Sequence, residues 1–82
     1  MKKIDLHIHT ECSDGLFSVE EVLNLAEKHL YDEIAITDHD TVDGYKKALE
    51  IMKAKSYRFK LIPGVEISCT LKNQDIHMLA YY

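Results

Sequence analysis

The stretch Ile4-Asp5-Leu6-His7-Ile8-His9 decides the fold. Apolar and polar residues alternate in it, and successive side chains of a β-strand point to opposite faces, so the pattern predicts a strand over residues 2–9 with one apolar face. On that strand His7 and His9 point to the same side and can reach one metal ion. Taken alone, the pair fits equally well a strand with two polar residues on its solvent face.

Two later segments also place metal-binding side chains where a predicted strand ends. His39 follows a short apolar run, and Glu66 follows Pro63-Gly64. Imidazole and carboxylate groups are ligands for zinc, iron and manganese. Because three separate segments share this arrangement, we favour a common metal site over chance polar residues.

The predicted elements alternate between strands and helices. A helix begins after Ser18, where Ser18-Val19-Glu20-Glu21 forms a capping box. Its apolar stripe consists of Val19, Val22, Leu23, Ala26 and Leu30. The later elements are a strand over residues 33–37, a helix from residue 41 to about residue 55, a strand over residues 59–68, and extended segments over residues 69–71 and 75–82.

The order β-α-β-α-β-β predicts an α/β fold with a parallel sheet and two amphipathic helices. Strands that alternate with helices pair in parallel through right-handed crossovers, and functional groups then collect at the carboxyl ends of the strands. Pro63 and Gly64 predict a bulge or bend in the third strand, because proline has no amide hydrogen to donate.

Composition and charge exclude several classes of protein. The chain has 82 residues, so it forms one domain at most, and its net charge of −4 argues against a protein that coats nucleic acid or an anionic membrane. Neither a signal peptide nor a run of 18 apolar residues is present, so a cytoplasmic location is expected. Two cysteines are too few for a disulfide framework.

Four stretches in order resemble the N-terminal part of a PHP domain, the polymerase and histidinol phosphatase family of metal-dependent phosphoesterases. They are D-L-H-I-H-T (residues 5–10) with S-D-G (13–15), I-T-D-H-D-T-V-D-G (36–44), L-I-P-G-V-E-I-S (61–68) and D-I-H-M-L-A-Y-Y (75–82). The resemblance implies a distorted barrel of seven β/α units. It also implies two or three zinc, manganese or iron ions at the carboxyl-terminal mouth.

The resemblance further implies a role for each matching residue. His7 and His9 would hold a first metal, which Glu66 would bridge to a second metal bound by His77. As an alternative, His77 could be a half-buried strand histidine. Hydrolysis of a phosphate-ester small molecule or a nucleotide would use a metal-bound water, with Glu66 and His39 as the catalytic residues that act through it.

A third metal would be held by Asp14 and His39. Asp14 could instead merely stabilise a turn with Gly15. Asp38 and Asp40 flank His39 and would point away from it on a strand end, so we interpret them as hydrogen-bond acceptors or a helix cap rather than ligands.

Length is the departure from the family pattern. A whole β/α barrel needs about 200 residues or more, so residues 1–82 are expected to form a single N-terminal segment that lacks one ligand for each metal. A further segment or a second copy of the chain could supply the missing groups. Two alternatives to an enzyme therefore remain: a metal-binding module without catalysis, and an interaction fragment that binds no metal.

Overall fold

The computed structural model describes the backbone of residues 1–82 and the side chains of residues 1–70 and 72–82. Its elements follow the β-α-β-α-β-β order that the sequence predicts. They are β1 (Ile4–Ile8), α1 (Val19–Lys28), β2 (Glu33–Ile36), α2 (Asp43–Ala54), β3 (Lys60–Leu71) and β4 (Gln74–Tyr81).

The four strands form one curled, mixed sheet in the order β1-β2-β3-β4, which has the form of half a barrel. Both β1 with β2 and β2 with β3 pair in parallel, as predicted. The prediction of a parallel sheet is wrong for β4, which pairs antiparallel with β3. The reason is the two-residue turn at Lys72 and Asn73, both with left-handed φ (52° and 63°), since a parallel pair needs a crossover of a dozen residues or more.

Pro63 and Gly64 mark the point where β3 changes its partner. The sequence predicts a bulge or bend at these residues, and the strand itself runs without a break from Lys60 to Leu71. Its residues up to Pro63 pair with β2, and its residues from Gly64 pair with β4. A side chain at Gly64 would meet the Thr37 methyl group at 2.9 Å, so this close crossing of β2 and β3 requires glycine.

The hydrophobic core lies on one face of the sheet, under the two helices. Ser18 caps α1 with both bonds of a capping box, as predicted. The core side chains are Val19, Val22, Leu23, Ala26, Ile34, Ile36, Ala48 and Phe59. Leu30, predicted to continue the stripe of α1, is 65% exposed because the helix ends at Lys28 and Leu30 has a left-handed φ of 60°.

The opposite face of the sheet carries the polar groups. Because side chains alternate along a strand, Ile34 and Ile36 point to the core while Ala35 and Thr37 point to the other face. Within the part of the chain that the structure describes, neither helix is long and apolar enough to cross a membrane.

Candidate metal centre

Six side chains meet at the end of the sheet where the parallel strands finish. They are His7 of β1, His9 just after it, Asp14 in the following loop, His39 after β2, Glu66 of β3 and His77 of β4. Every residue that the sequence analysis named as a metal ligand is in this cluster. Their role as ligands stays a prediction.

Backbone hydrogen bonds bring His39 beside β3. The Glu66 amide donates to the Asp38 carbonyl at 3.1 Å, and the Asp40 amide donates to the Glu66 carbonyl at 2.8 Å. His39 thereby forms an isolated parallel bridge with Glu66. The Asp40 side chain accepts a hydrogen bond from the Ser68 amide at 2.9 Å, which fastens the segment to β3.

Glu66 is the centre of the cluster, and its side chain is buried. Its Oε1 lies 2.7 Å from Nε2 of His7 and 2.7 Å from Nε2 of His9. Its Oε2 lies 2.7 Å from Nδ1 of His77 and 3.7 Å from Nδ1 of His39. The two oxygens of one carboxylate therefore face two different pairs of imidazoles.

Asp14 joins the other sides of two of these rings. Its Oδ1 lies 2.7 Å from Nδ1 of His9, and its Oδ2 lies 3.1 Å from Nε2 of His39. Both nitrogens of His9 thus face carboxylate oxygens. Only an imidazolium can donate to both oxygens, and a cation could take the place of either donated proton.

Asp38 holds the loop that carries Asp14. This buried carboxylate accepts hydrogen bonds from the Thr10 amide (2.5 Å), the Thr10 hydroxyl (2.7 Å) and the Ser13 hydroxyl (2.7 Å). It is a hydrogen-bond acceptor, one of the two roles predicted for it, and α2 begins after Val42 without a side-chain cap. The loop also needs Gly15, because a side chain there would lie 2.4 Å from the His9 carbonyl oxygen.

The electrostatics of the cluster favour ionised carboxylates. Burial alone would raise the pKa of Glu66, but hydrogen bonds from His77, His9 and His7 lower it from 4.5 to about 2. Burial likewise opposes ionisation of Asp14, yet the hydrogen bond and charge of His9 lower its pKa. For His9, burial alone would lower the pKa, but Glu66 and Asp14 together raise it. Both carboxylates are therefore available as anionic ligands at neutral pH.

Three overlapping groups offer three donor atoms each, and the three atoms of a group lie within 4.8 Å of one another. They are His7-His9-Glu66, His9-Asp14-His39 and His39-Glu66-His77. A neutral imidazole has one free lone pair, so His9 and His39 can each serve only one ion. The two outer groups share only Glu66, which has two oxygens, so these two groups can be complete at the same time.

Two features near the cluster are not predicted from the sequence. The Ser68 hydroxyl lies 3.3 Å from Nδ1 of His39, and no sequence pattern marked it. The Thr37 hydroxyl is buried without a hydrogen-bond partner among the described residues. Cys12, the one cysteine near the paired histidines, packs against the hydrophobic core instead of joining the cluster.

Fold and cluster together define an α/β half-barrel with a candidate metal centre at the carboxyl ends of its strands. The model of the PHP domain family matches residues 5–81. The chain therefore belongs to the PHP domain family, and the resemblance seen in its sequence is confirmed.

Two relatives of the chain are enzymes that cleave phosphate esters. It is 41% identical over 75 residues to the 5′-3′ exoribonuclease Rnm of Salmonella typhimurium, covering 92% of this chain and 26% of that enzyme. It is 32% identical over 79 residues to the 3′,5′-nucleoside bisphosphate phosphatase of Chromobacterium violaceum, covering 96% of this chain and 27% of that enzyme.

A solved structure has the same fold. It belongs to a Bifidobacterium adolescentis protein assigned to the metal-dependent phosphoesterases, with a TM-score of 0.82 and 32% identity. The match covers 98% of this chain and 27% of that one. The chain thus spans about a quarter of the length of the relatives it matches.

Proposed function

We propose that this chain carries the metal-holding part of a phosphoesterase that hydrolyses a phosphomonoester or phosphodiester with divalent cations. One observation carries the proposal: the buried Glu66 carboxylate turns one oxygen to His7 and His9 and the other to His77 and His39. A carboxylate shared in this way suits a pair of ions, and paired ions serve in-line displacement at phosphorus.

The residues present fit such cations. His7, His9 and Glu66 would hold one ion, and His39, Glu66 and His77 the other. Three protein ligands with an open position are typical of catalytic rather than structural zinc sites. When bound, the cations supply Lewis acidity toward a phosphoryl oxygen and activate a water. Zinc, manganese and iron all suit these donors.

The protein's own groups prepare this chemistry before substrate arrives. Glu66 stays ionised, since its pKa is lowered to about 2, and it fixes three imidazole rings at 2.7 Å. Glu66 and His39 are the proposed catalytic residues because they would hold the groups that activate water. Asp14 lies in the loop after β1 and is exposed. Asp14 and His39 would hold a third ion only when His39 does not bind the second ion.

The proposed substrate is a nucleotide or another small phosphate ester. Support comes from the two relatives, which are an exoribonuclease and a nucleoside bisphosphate phosphatase. Since the chain spans about a quarter of those enzymes, full turnover is proposed to need further groups, from additional segments or from a second copy of the chain.

A metal-binding role without catalysis is the second candidate. It is favoured by the overlap of the three groups: the middle group competes with one outer group for His9 and with the other for His39, so the described side chains cannot complete all three at once. Under this proposal the chain would take up cations but not turn over an ester.

Metal analysis followed by a hydrolysis assay tests both candidates. The purified chain is loaded with manganese or zinc, its metal content is measured, and phosphate release is followed from p-nitrophenyl phosphate and from a nucleoside 3′,5′-bisphosphate. We expect bound metal and weak manganese-dependent hydrolysis, both lost in Glu66→Gln and kept in the control Glu11→Gln, which changes an exposed carboxylate outside the cluster. Metal without hydrolysis selects the second candidate, and absence of metal contradicts both.

A further inference from the structure

Tyr81 makes a hydrogen bond between the two edges of the sheet. Its strand, β4, and β1 lie at opposite ends of the order β1-β2-β3-β4, yet the Tyr81 hydroxyl donates to the Leu6 carbonyl at 2.6 Å. The bond joins residues 75 positions apart in the chain. The sheet is therefore curled far enough for one side chain to bridge its open side.

The bond acts on the peptide unit that precedes His7. Between Asp5 and Ile8 the regular register of β1 with β2 is interrupted. Within this interruption the His7 amide donates to the Asp5 carboxylate at 3.1 Å, and the Leu6 carbonyl accepts from Tyr81. Both polar groups of the Leu6-His7 peptide are thus satisfied by side chains, and these side chains fix its orientation.

Tyr81 also contacts β3, the strand that carries Glu66. Tyr81 pairs with Gly64 across the antiparallel ladder, and a side chain at Gly64 would lie 3.1 Å from the Tyr81 ring. The ring therefore covers Gly64, two residues before Glu66. On its own strand Tyr81 is four residues from His77, so both project from the same face.

We infer that Tyr81 is a positioning residue that sets His7 and its strand against Glu66 and His77. The inference extends the proposed function, because the groups positioned in this way are those proposed to hold the cations. Loss of the hydroxyl would leave the ring on Gly64 but free the Leu6-His7 peptide to turn. Among the described side chains, Glu66 is the one hydrogen-bond partner of the half-exposed His7 ring, so the orientation of the Leu6-His7 peptide matters for the position of that ring.

Tyr81→Phe and Tyr82→Phe form a matched pair for the test. Each removes one hydroxyl from neighbouring exposed tyrosines, and only the first removes the bond to Leu6. The ring signals of the histidines are recorded by nitrogen-15 NMR on the metal-free chain, and zinc and manganese affinities are measured by calorimetry. Circular dichroism of the same samples gives the folded fraction.

In Tyr81→Phe we expect displaced ring signals for His7, unchanged signals for His29, and cation affinity about threefold to tenfold weaker, which corresponds to the net value of one hydrogen bond. Tyr82→Phe should match the wild type. Unchanged His7 signals in Tyr81→Phe overturn the inference, as does a loss of affinity that only follows a loss of folded fraction. A wild-type chain that takes up no cation refutes the proposed function, while the NMR comparison still decides the role of Tyr81.

Discussion

At the scale of single residues, the cluster is organised by one buried carboxylate. Glu66 has to be ionised to accept hydrogen bonds from three imidazoles at once, and burial by itself would oppose that ionisation. The imidazoles and Glu66 therefore depend on each other. Because the metal-free cluster depends on an ionised Glu66, protonation of that carboxylate at acid pH should weaken it.

Glu66→Gln should make the free energy of unfolding of the metal-free chain depend less on pH in the acid range. The folded-state pKa of Glu66, about 2, lies below its ordinary 4.5, so its contribution is present above pH 4.5 and is lost as the pH falls toward 2. Urea unfolding at pH 5, 4 and 3, below the ordinary titration range of histidine, measures the effect. The wild type should lose more free energy of unfolding over this interval than Glu66→Gln, and equal losses would refute the coupling.

Two buried threonines should respond oppositely to replacement by valine. The Thr10 hydroxyl donates to Asp38 and accepts from the Cys12 amide, whereas the Thr37 hydroxyl has no partner among the described residues. Thr10→Val should lower the free energy of unfolding by about 1 to 3 kcal/mol, because it leaves a buried carboxylate short of a donor. Thr37→Val should raise it by about 1 kcal/mol.

Chemical denaturation of the two valine variants beside the wild type provides the measurement. Both threonines are fully buried, so each serves as the steric control for the other. If Thr37→Val also destabilises the chain, its hydroxyl has a partner that the described residues do not supply.

At the scale of elements, local signals determined α1 but not the pairing of β4. The capping box at Ser18 gives α1 its starting point through the Ser18 hydroxyl and the Glu21 carboxylate, with bonds of 3.2 and 2.9 Å. The turn at Lys72 and Asn73 carries no glycine, although both residues adopt left-handed φ. No glycine therefore marks a hairpin turn in the sequence, and the alternation of strands and helices favours parallel pairing instead.

Ser18→Ala should lower the free energy of unfolding by about 1 kcal/mol, since it leaves an amide of the first turn of α1 without its acceptor. Ser56→Ala, at an exposed position outside the helices and strands, is the matched control. Thermal or urea unfolding of the two variants measures the difference. A loss of equal size in both would show that the cap does not stabilise α1.

At the scale of the whole molecule, the candidate centre links all four strands. Glu66 of β3 contacts His7 of β1 and His77 of β4, while His39 after β2 lies beside it. A cation held by these residues would connect β1 and β4, the two edge strands of the half-barrel. The hydrogen bond from Tyr81 to Leu6 also joins these strands. Binding to the folded state alone stabilises it by mass action.

Zinc or manganese should therefore raise the unfolding midpoint of the chain. At a free concentration 100 times the dissociation constant the gain is about 2.7 kcal/mol per site. Scanning calorimetry with and without metal, followed by a chelator, measures it. His9→Ala should lose the gain of one of the two sites, whereas His29→Ala, which removes a histidine at the end of α1 rather than one in the cluster, should keep both.

The number of ions that the chain binds shows which of the three groups of side chains hold them. The two outer groups can be complete together, so we expect two ions per chain, and Asp14→Asn should leave that number unchanged because Asp14 belongs only to the middle group. Metal analysis at saturation gives the count. Loss of one ion in Asp14→Asn would instead favour the arrangement in which Asp14 and His39 hold a third.

The sequence by itself determined the order of the elements and the start of α1, and its resemblance to the PHP family named the six side chains of the cluster. Alternating side chains, a capping box and strand-end histidines are local signals, and they act over a few residues. Only the tertiary structure decided that β4 runs antiparallel, that Glu66 divides its oxygens between two pairs of imidazoles, and that Tyr81 reaches Leu6. These features depend on how far the sheet curls and on contacts between residues far apart in the chain, and no local pattern specifies either one.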